Sequence, residues 1–384
     1  MRFSIYLNSA TWRLNIATIL FFTFIQMVIP LIPRYVLMIE ASPSMIGIAV
    51  SSMSITAISL RPLFGVLSDK WIRSSLMLLG VILASVSYAL LFFSTNIFTI
   101  IIARLIEGVA VASFIPSSIA SAVDSAPNGK VGETLGWRSL MVGIGFTVGP
   151  GLGGVISQFF SYKVTFIIAS LLLLLLIPLI QTSNPTRKQL PEEISIRGLS
   201  DKYFLTAFFS LIVYAVAWMG LLTFLSAYLK LLGYGDIEIG FFVSLQALSS
   251  LILRIIGGKL SDKYPERTTY LSLLIISLSF FMIYIFITPP HLYLASIVFG
   301  VGVGIFIPSA QTLALGRQRS SIGFLTSIYT MGMDLGNLTG PLLLGLLVEY
   351  SGNYMNAFLT PSILVFTASI LVLLISEVSI KTKT

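Results

Sequence analysis

Long apolar stretches alternate with short polar connections along the whole chain. Each apolar stretch is close to the ~20 residues that an α-helix needs to cross the hydrocarbon core of a bilayer. Glycine and proline occur inside several of them, which membrane helices tolerate when neighbouring groups satisfy the freed backbone carbonyls. The pattern predicts an all-α membrane protein with twelve transmembrane spans, numbered 1 to 12. The predicted spans are 14–38, 45–66, 75–94, 97–122, 136–157, 163–182, 203–229, 237–258, 269–288, 292–314, 322–347 and 354–376.

The second half of the chain repeats the first with an offset close to 193 residues. The segment RPLFGVLSDK at 61–70 and the segment RIIGGKLSDK at 254–263 share six identities. Further along, Gly149-Pro150 matches Gly340-Pro341 at an offset of 191. A repeat of this length predicts two homologous six-helix halves. We place them at 1–182 and 203–384, joined by a polar cytosolic linker over 183–202.

Composition and charge narrow the class of protein further. Apolar residues make up 56 % of the chain and charged residues only 10 %, so a soluble enzyme or a nucleic-acid module is excluded. Of the 23 Lys and Arg residues, nineteen fall on the side of the termini, in loops or near the ends of spans. The other side holds Arg34, Lys163 and Lys230, and Arg104 lies within a span. The positive-inside rule then places both termini in the cytosol of a multi-pass protein of the cell inner membrane.

The net charge of +8 is therefore a topology signal and does not indicate nucleic-acid binding. The chain has no cysteine and one histidine, His291, so we expect no disulfide, no metal site and no cofactor. No Gly-x-x-x-x-Gly-Lys-Ser/Thr loop is present, which argues against ATP as the energy source. The partners that we expect are a small-molecule substrate, protons and the lipid bilayer, with the protein acting as a monomer.

The loop between spans 2 and 3 carries the most specific motif. Gly65, Leu67, Ser68, Asp69, Lys70 and Arg73 resemble the pattern G-x-L-(S/A)-D-(R/K)-x-G-R of the major facilitator superfamily of secondary transporters, with Ile72 in place of the second glycine. A degenerate copy at Gly258, Asp262, Lys263 and Arg267 also fits that family. The resemblance covers essentially the whole chain and implies two pseudo-symmetric six-helix halves. It also implies transport, and therefore no enzymatic activity.

In that family the motif implies a cytosolic latch, in which Asp69 contacts either Arg138 or the start of span 11 near 320–323. A carboxylate is stabilised both by a helix N-terminus and by a nearby arginine. The alternative is that these residues are solvated charges that only set the topology. The predicted latch residues are Arg61, Gly65, Asp69, Lys70, Arg73, Arg138, Arg254, Gly258, Asp262 and Lys263.

Three ionisable residues fall well away from the ends of the predicted spans, where each costs roughly 2.5–3.5 kcal/mol on insertion scales. Arg104 and Glu107 share one face of span 4, and Asp334 lies near the middle of span 11. The string Arg104-x-x-Glu107-Gly108 resembles a span-4 motif linked to proton transfer in proton-coupled members of the superfamily. We predict that Arg104, Glu107 and Asp334 couple transport to protons. The alternatives are a static Arg104–Glu107 pair and a neutral Asp334 hydrogen-bonded to a neighbouring helix, with Asn337 one turn away.

Acidic residues at the predicted cytosolic helix ends, such as Asp124 and Asp201, are expected to be solvated topology residues.

Span 5 contains glycines at four-residue spacing, at positions 145, 149 and 153, which favours close helix packing. Gly145, Gly149, Pro150, Gly153 and Gly154 resemble the signature G-x-x-x-G-P-x-x-G-G of drug/proton antiporters in the superfamily. The resemblance implies export. The alternative is generic packing, since span 11 carries a partial copy at Gly336, Gly340, Pro341 and Gly345.

In the family fold, spans 1, 4, 7 and 10 line the substrate cavity. Few polar groups and several aromatic rings on these spans suit a bulky amphipathic ligand. We therefore predict a proton-coupled exporter of small amphipathic or drug-like molecules, working by alternating access. The alternatives are a proton symporter that imports a nutrient or metabolite and a non-transporting membrane sensor. The candidate cavity residues are Gln26, Tyr214, Trp218, Phe299, Phe306 and Gln311.

Overall fold

The computed structural model describes residues 9–39, 42–70, 73–126, 131–181, 197–316 and 322–381. Within these residues, twelve helical stretches are long and apolar enough to cross a membrane, which confirms the predicted fold class. Span 1 consists of Ser9–Val28, a 3₁₀ turn at Ile29–Leu31 and Ile32–Ile39. Span 6 is interrupted once and consists of Tyr162–Leu174 and Ile177–Gln181. The other spans are Pro43–Lys70, Arg73–Phe93, Ile97–Asp124, Val131–Phe159, Lys202–Leu231, Asp236–Lys263, Pro265–Ile285, His291–Leu315, Ile322–Ser351 and Asn356–Lys381.

Large apolar side chains are exposed on the surfaces of these helices. Phe98 on span 4 is 73 % exposed and Ile255 on span 8 is 71 % exposed. A surface of this kind is stable in hydrocarbon and unstable in water. Twelve spans place the two chain termini on the same side, and we call the opposite ends of the helices their outer ends.

The chain divides into two compact units. Unit 1 comprises Met1–Ala41, Ile48–Leu190 and Lys230–Ser244, and unit 2 comprises Ser42–Gly47, Pro191–Leu229 and Leu245–Thr384. Three helices change unit along their length, and span 7 does so only at its last two residues, Lys230 and Leu231. Span 2 begins in unit 2 and continues in unit 1, whereas span 8 begins in unit 1 and continues in unit 2.

The repeat seen in the sequence recurs in the contacts inside each unit. In unit 1, Ser85 on span 3 and Ser170 on span 6 each donate a hydrogen bond to the other's carbonyl oxygen. In unit 2, Ser277 and Ser362, each 192 residues further on, make the same reciprocal pair. The same packing solution therefore occurs in both units.

Spans 2 and 8 run further than the hydropathy pattern predicted. The repeated motif was expected in loops, but Ser68 and Lys70 lie in the last turn of span 2, and Asp262 and Lys263 lie in the last turn of span 8. Hydropathy marks where the apolar stretch ends. A helix can continue past that point because its backbone hydrogen bonds are made internally, so polarity alone does not end it.

Candidate functional site

The charged pair of span 4 is completely buried. Asn96 caps the start of this helix by accepting a hydrogen bond from Thr99 N at 3.0 Å. Two turns later, Arg104 Nη1 forms an ion pair with Glu107 Oε2, and both side chains are 0 % exposed. Arg104 Nη2 also donates to the carbonyl oxygen of Val50 on span 2 at 3.3 Å. The predicted common face of the two residues is thus turned inward within unit 1.

A third residue, Tyr88 on span 3, completes the site and was not predicted from the sequence. Its hydroxyl donates a 3.0 Å hydrogen bond to Glu107 Oε1, and the Tyr88 side chain is fully buried. The two carboxylate oxygens therefore have separate donors, one charged and one neutral. Such bonds stabilise the anionic form of a carboxylate, whereas desolvation favours the acid. The site therefore combines a buried carboxylate with one donor on its own helix and one donor on span 3.

Close packing seals this site on the side of span 2. Thr56 on span 2 donates to the Leu105 carbonyl oxygen at 2.7 Å. A Cβ atom added to Gly108 would meet the carbonyl oxygen of Met53, so only glycine permits this approach of spans 2 and 4. Both side chains of the pair are 0 % exposed, and a surrounding of low dielectric constant strengthens their electrostatic interaction.

Asp334 and Glu107 belong to different units. Asp334 lies on span 11 in unit 2 and is buried. On the next turn, Asn337 Oδ1 is buried and has no hydrogen-bond partner among the described residues.

Several predicted cavity residues form an aromatic layer in unit 2. The ring centroids of Tyr214 and Phe306 are 5.0 Å apart, and those of Trp218 and Phe299 are 5.2 Å apart. Phe299 also contacts Phe280 on span 9 at 5.2 Å, and both phenylalanines of span 10 are 0 % exposed. Trp218 is only partly buried, so it is the ring of this layer that retains accessible surface.

The two predicted amide residues lie apart from that layer. Gln26 is buried on span 1 in unit 1, where its Cβ atom lies beside Gly149 of span 5. Gln311 is exposed on span 10.

Among the predicted latch residues, Arg73 joins three helices within unit 1. It begins span 3, donates from Nε to Ser68 O on span 2 at 3.3 Å, and donates from Nη1 to Ala120 O on span 4 at 2.5 Å. It also pairs with Asp124 at the end of span 4, where the two side chains are 18 % and 15 % exposed. The expectation that Asp124 is a solvated topology charge was wrong, because the folded chain brings an arginine from another helix against it.

Asp201 also differs from the expectation of a solvated charge. Its carboxylate accepts hydrogen bonds from the backbone N–H groups of Tyr203 and Phe204, at 2.9 and 3.0 Å, at the start of span 7. These N–H groups have no partner inside the helix, so Asp201 caps it.

The other latch residues have more varied surroundings. Arg138 is buried and donates to Ser118 Oγ on span 4 at 2.6 Å. The side chains of Asp69 and Lys70, and the segment 317–321 before span 11, lie outside the described residues. Of the remaining residues, Asp262 and Lys263 are exposed, and Arg61, Gly65, Arg254 and Gly258 are partly buried.

The glycine face of span 5 packs against span 1. A Cβ atom on Gly145 would lie 2.8 Å from Phe22 Cβ, one on Gly149 would lie 2.6 Å from Thr23 O, and one on Gly153 would meet Met27 O. The following residue, Gly154, turns toward the start of span 8 instead. Pro150 is buried within this helix. The glycines thus permit a backbone approach that side chains would prevent.

The sequence analysis missed a second buried charge cluster, at the outer ends of unit 1. Arg34 on span 1 is 0 % exposed and donates from Nη1 to Asp236 Oδ1 at 2.7 Å. Arg34 and Lys230 had been counted as charges of outer loops, and Asp236 had been assigned no role. One signal was present: Arg34 lies inside the predicted apolar segment 14–38.

Comparisons with known proteins identify the family of this chain. A family model described as Major Facilitator Superfamily matches residues 14–319. The multi-drug resistance efflux pump PmrA of Streptococcus pneumoniae serotype 4 is 26 % identical over 367 residues, which cover 88 % of this chain and 90 % of the relative. Multidrug resistance protein 1 of Bacillus subtilis (strain 168) is 24 % identical over 349 residues, covering 88 % and 89 % of the two chains.

A solved structure of a bacterial homologue of the human lysosomal transporter Spinster matches with a TM-score of 0.81 at 14 % identity, covering 97 % of each chain. The similarity to two multidrug resistance proteins is consistent with the predicted resemblance to drug/proton antiporters. Since the family model spans most of the chain, the predicted family is confirmed: the protein belongs to the Major Facilitator Superfamily and is a multi-pass membrane transporter, not an enzyme.

Proposed function

We propose that this protein is a proton-coupled exporter of small amphipathic molecules that works by alternating access in the cell inner membrane, with both termini in the cytosol. The observation that carries the proposal is the fully buried Glu107, which has Arg104 and Tyr88 as donors. Ionisable groups in hydrocarbon are costly, and those that are retained mark ion pathways by default. The names of the two relatives, a multi-drug resistance efflux pump and a multidrug resistance protein, support export over uptake.

Glu107 holds and releases the coupled proton in this mechanism. While Arg104 and Tyr88 both donate to it, the carboxylate is stable as an anion. A helix movement that weakens either bond removes part of this stabilisation from a desolvated carboxylate, and the carboxylate then binds a proton. The proton thus enters or leaves according to the positions of spans 2, 3 and 4, all of which contribute a contact to the site.

The substrate binds beside the aromatic layer of unit 2. Trp218 presents partly accessible ring surface next to Phe299, and Tyr214 packs on Phe306. Aromatic faces attract cations and planar apolar groups, by roughly 0.5–2 kcal/mol for a cation. This favours a lipophilic cation or a planar aromatic compound over a sugar.

Transport by everted membrane vesicles tests coupling and direction together. Respiration acidifies the interior of such vesicles. With ethidium as the probe, a proton-coupled exporter accumulates the dye inside, raises the internal pH, and loses both effects when a protonophore is added. Accumulation only after the pH gradient is reversed would instead identify a symporter, and no movement under either gradient would favour the non-transporting sensor.

A further inference from the structure

Asp236 collects three donors at the outer end of span 8. Arg34 Nη1 lies 2.7 Å from its Oδ1 atom, the Tyr162 hydroxyl lies 2.9 Å away, and Lys230 Nζ lies 3.4 Å away. The Asp236 side chain is only 5 % exposed. Arg34 is oriented in turn by a bond from Nε to the Pro30 carbonyl oxygen at 3.1 Å. Three residues, one each from spans 1, 6 and 7, therefore hold a single carboxylate out of water.

The backbone around Asp236 also packs against span 5. The N–H group of Ile237 donates to Gln158 Oε1 at 2.9 Å, which satisfies one of the free donors at the start of span 8. One turn later, a Cβ atom on Gly240 would lie 2.6 Å from the carbonyl oxygen of Pro150. The first turns of span 8 are thus fixed to unit 1 by both side chains and backbone.

The start of span 2 makes equivalent contacts with span 11 in unit 2, at positions related by the repeat. We call each of these two sets of contacts, at the starts of spans 8 and 2, a seat. Ser44 N and Ser42 Oγ donate to Glu349 on span 11 at 3.0 and 2.9 Å. Ser44 and Glu349 correspond to Ile237 and Gln158 at offsets of 193 and 191. The backbones also meet in the same way, since a Cβ atom on Gly47 would contact the carbonyl oxygen of Pro341.

The two seats differ in chemistry. At span 8 the bonds include a buried ion pair, whereas Glu349 accepts neutral, exposed hydrogen bonds. An ion pair shielded from water interacts much more strongly than an exposed contact, and removing one partner strands the other charge. Among the described residues, the repeat thus supplies two similar sets of helix contacts, and only the set at span 8 includes an ion pair.

Spans 2 and 8 each have at least one helical turn in each unit, so a movement between the units must either bend them or break their seats. We infer that the cluster of Asp236, Arg34, Tyr162 and Lys230 is an outer lock, which keeps the start of span 8 on unit 1 and must be broken when the outer side opens. This inference rests on the proposed alternating access. It is independent of proton coupling and of the direction of transport.

Ser244 offers a direct measurement of the lock. It lies two turns into span 8, its Oγ atom is buried, and a Cβ atom on Gly151 of span 5 would lie 3.2 Å from it. The chain has no cysteine, so Ser244→Cys creates a single thiol of nearly the same size. In the full-length protein in lipid nanodiscs, the rate of labelling by a membrane-impermeant maleimide then reports how often span 8 leaves span 5.

We expect Asp236→Asn to raise this labelling rate at least tenfold. Adding Arg34→Met to Asp236→Asn should raise it no further, because the ion pair can be broken only once. Glu349→Gln, at the equivalent seat, should change the rate less than threefold. Phe160→Cys, at a position that is 71 % exposed, is the reagent control and should label equally in every background.

Labelling of Ser244→Cys at the unmodified rate in Asp236→Asn would overturn the lock, as would an equal effect of Glu349→Gln. Should Asp236→Asn not fold, Tyr162→Phe removes a single donor and should still raise the rate two- to threefold; no increase there would also overturn the proposal. Labelling requires no substrate and no proton gradient, so a failure of the lock is distinguishable from a failure of proton-coupled export in vesicles.

Discussion

The Tyr88 hydroxyl donates to Glu107 Oε1 across the interface of spans 3 and 4, and both side chains are fully shielded from solvent. Arg104 occupies the other carboxylate oxygen from within span 4. The two donors differ in an important respect. Arg104 and Glu107 lie on the same helix, so their contact is kept when span 4 moves. The contact from Tyr88 depends on the position of span 3.

Tyr88→Phe removes the neutral donor and keeps the ring that packs around it. The Glu107 carboxylate then loses one of its two donors. We expect the pH–rate profile of substrate-driven proton movement to change, because a hydrogen bond worth ~1 kcal/mol is removed from the proposed proton carrier. The measurement is ethidium transport in vesicles between pH 5.5 and 8.5.

Tyr35→Phe is the matched control for that change. Tyr35 is also buried in unit 1 and donates its hydroxyl to a backbone oxygen, that of Ser94, at 2.8 Å. Its removal should cost stability without moving the pH–rate profile. Equal shifts in the two variants would show that Tyr88 acts through general packing, not through Glu107.

The glycine face of span 5 leads to a prediction about stability. Gly149→Ala would place a Cβ atom 2.6 Å from Thr23 O and 2.7 Å from Gln26 Cβ, so spans 1 and 5 must separate. Overpacking of this kind costs about 1–3 kcal/mol. We expect a lower melting temperature in detergent together with reduced transport.

Gly136→Ala, on the same helix, serves as its control. Apart from the backbone of its own helix, no atom of the described residues lies within 4 Å of a Cβ at that position. Alanine is the better helix former by about 1 kcal/mol, so this variant should be unchanged or slightly more stable. A melting temperature that falls equally in both variants would contradict the role assigned to close packing.

The ion pair between Arg73 and Asp124 should stabilise the folded protein. Asp124→Asn removes the charge while keeping the size, and both side chains are mostly buried. The variant should lose about 1–3 kcal/mol of unfolding free energy, which is more than an exposed ion pair contributes and less than the loss from breaking a fully buried one. Thermal unfolding should show it, and Asp262→Asn, where the side chain is exposed, should show almost none. A similar loss from Asp262→Asn would argue that the effect is one of net charge.

Local patterns in the sequence predicted much of the fold and little of the site's surroundings. Twelve spans followed from hydropathy, and the common face of Arg104 and Glu107 followed from their spacing of three residues. The partners from other helices could not be predicted this way. Tyr88 is 19 residues from Glu107, and Asp236 is 202 residues from Arg34.

The reason is that helical periodicity reports only which face of a helix is polar. It carries no information on which helix lies opposite that face. The Arg73–Asp124 pair shows the same limit, because each residue separately resembles an ordinary charge at a helix end. Only the packing of spans 3 and 4 brings the two together.

Glu107 and Asp334 are the two candidate proton carriers, and conservative variants of each distinguish between them. Glu107→Gln keeps the size and can still accept from Tyr88, but it cannot take up and release a proton. If Glu107 is the carrier, this variant should lose at least 90 % of pH-gradient-driven accumulation. Exchange of labelled for unlabelled substrate should continue, because exchange requires no net proton release.

Asp334→Asn is the decisive comparison, since Asp334 is also buried but belongs to unit 2. With Glu107 as carrier, Asp334→Asn should retain coupled accumulation, with at most a changed KM for substrate. The reverse result, in which Asp334→Asn uncouples transport and Glu107→Gln does not, would assign the proton to span 11. Were both variants to stay coupled, neither carboxylate would carry the proton. The buried Arg104–Glu107–Tyr88 site would then be a static brace between spans 2, 3 and 4.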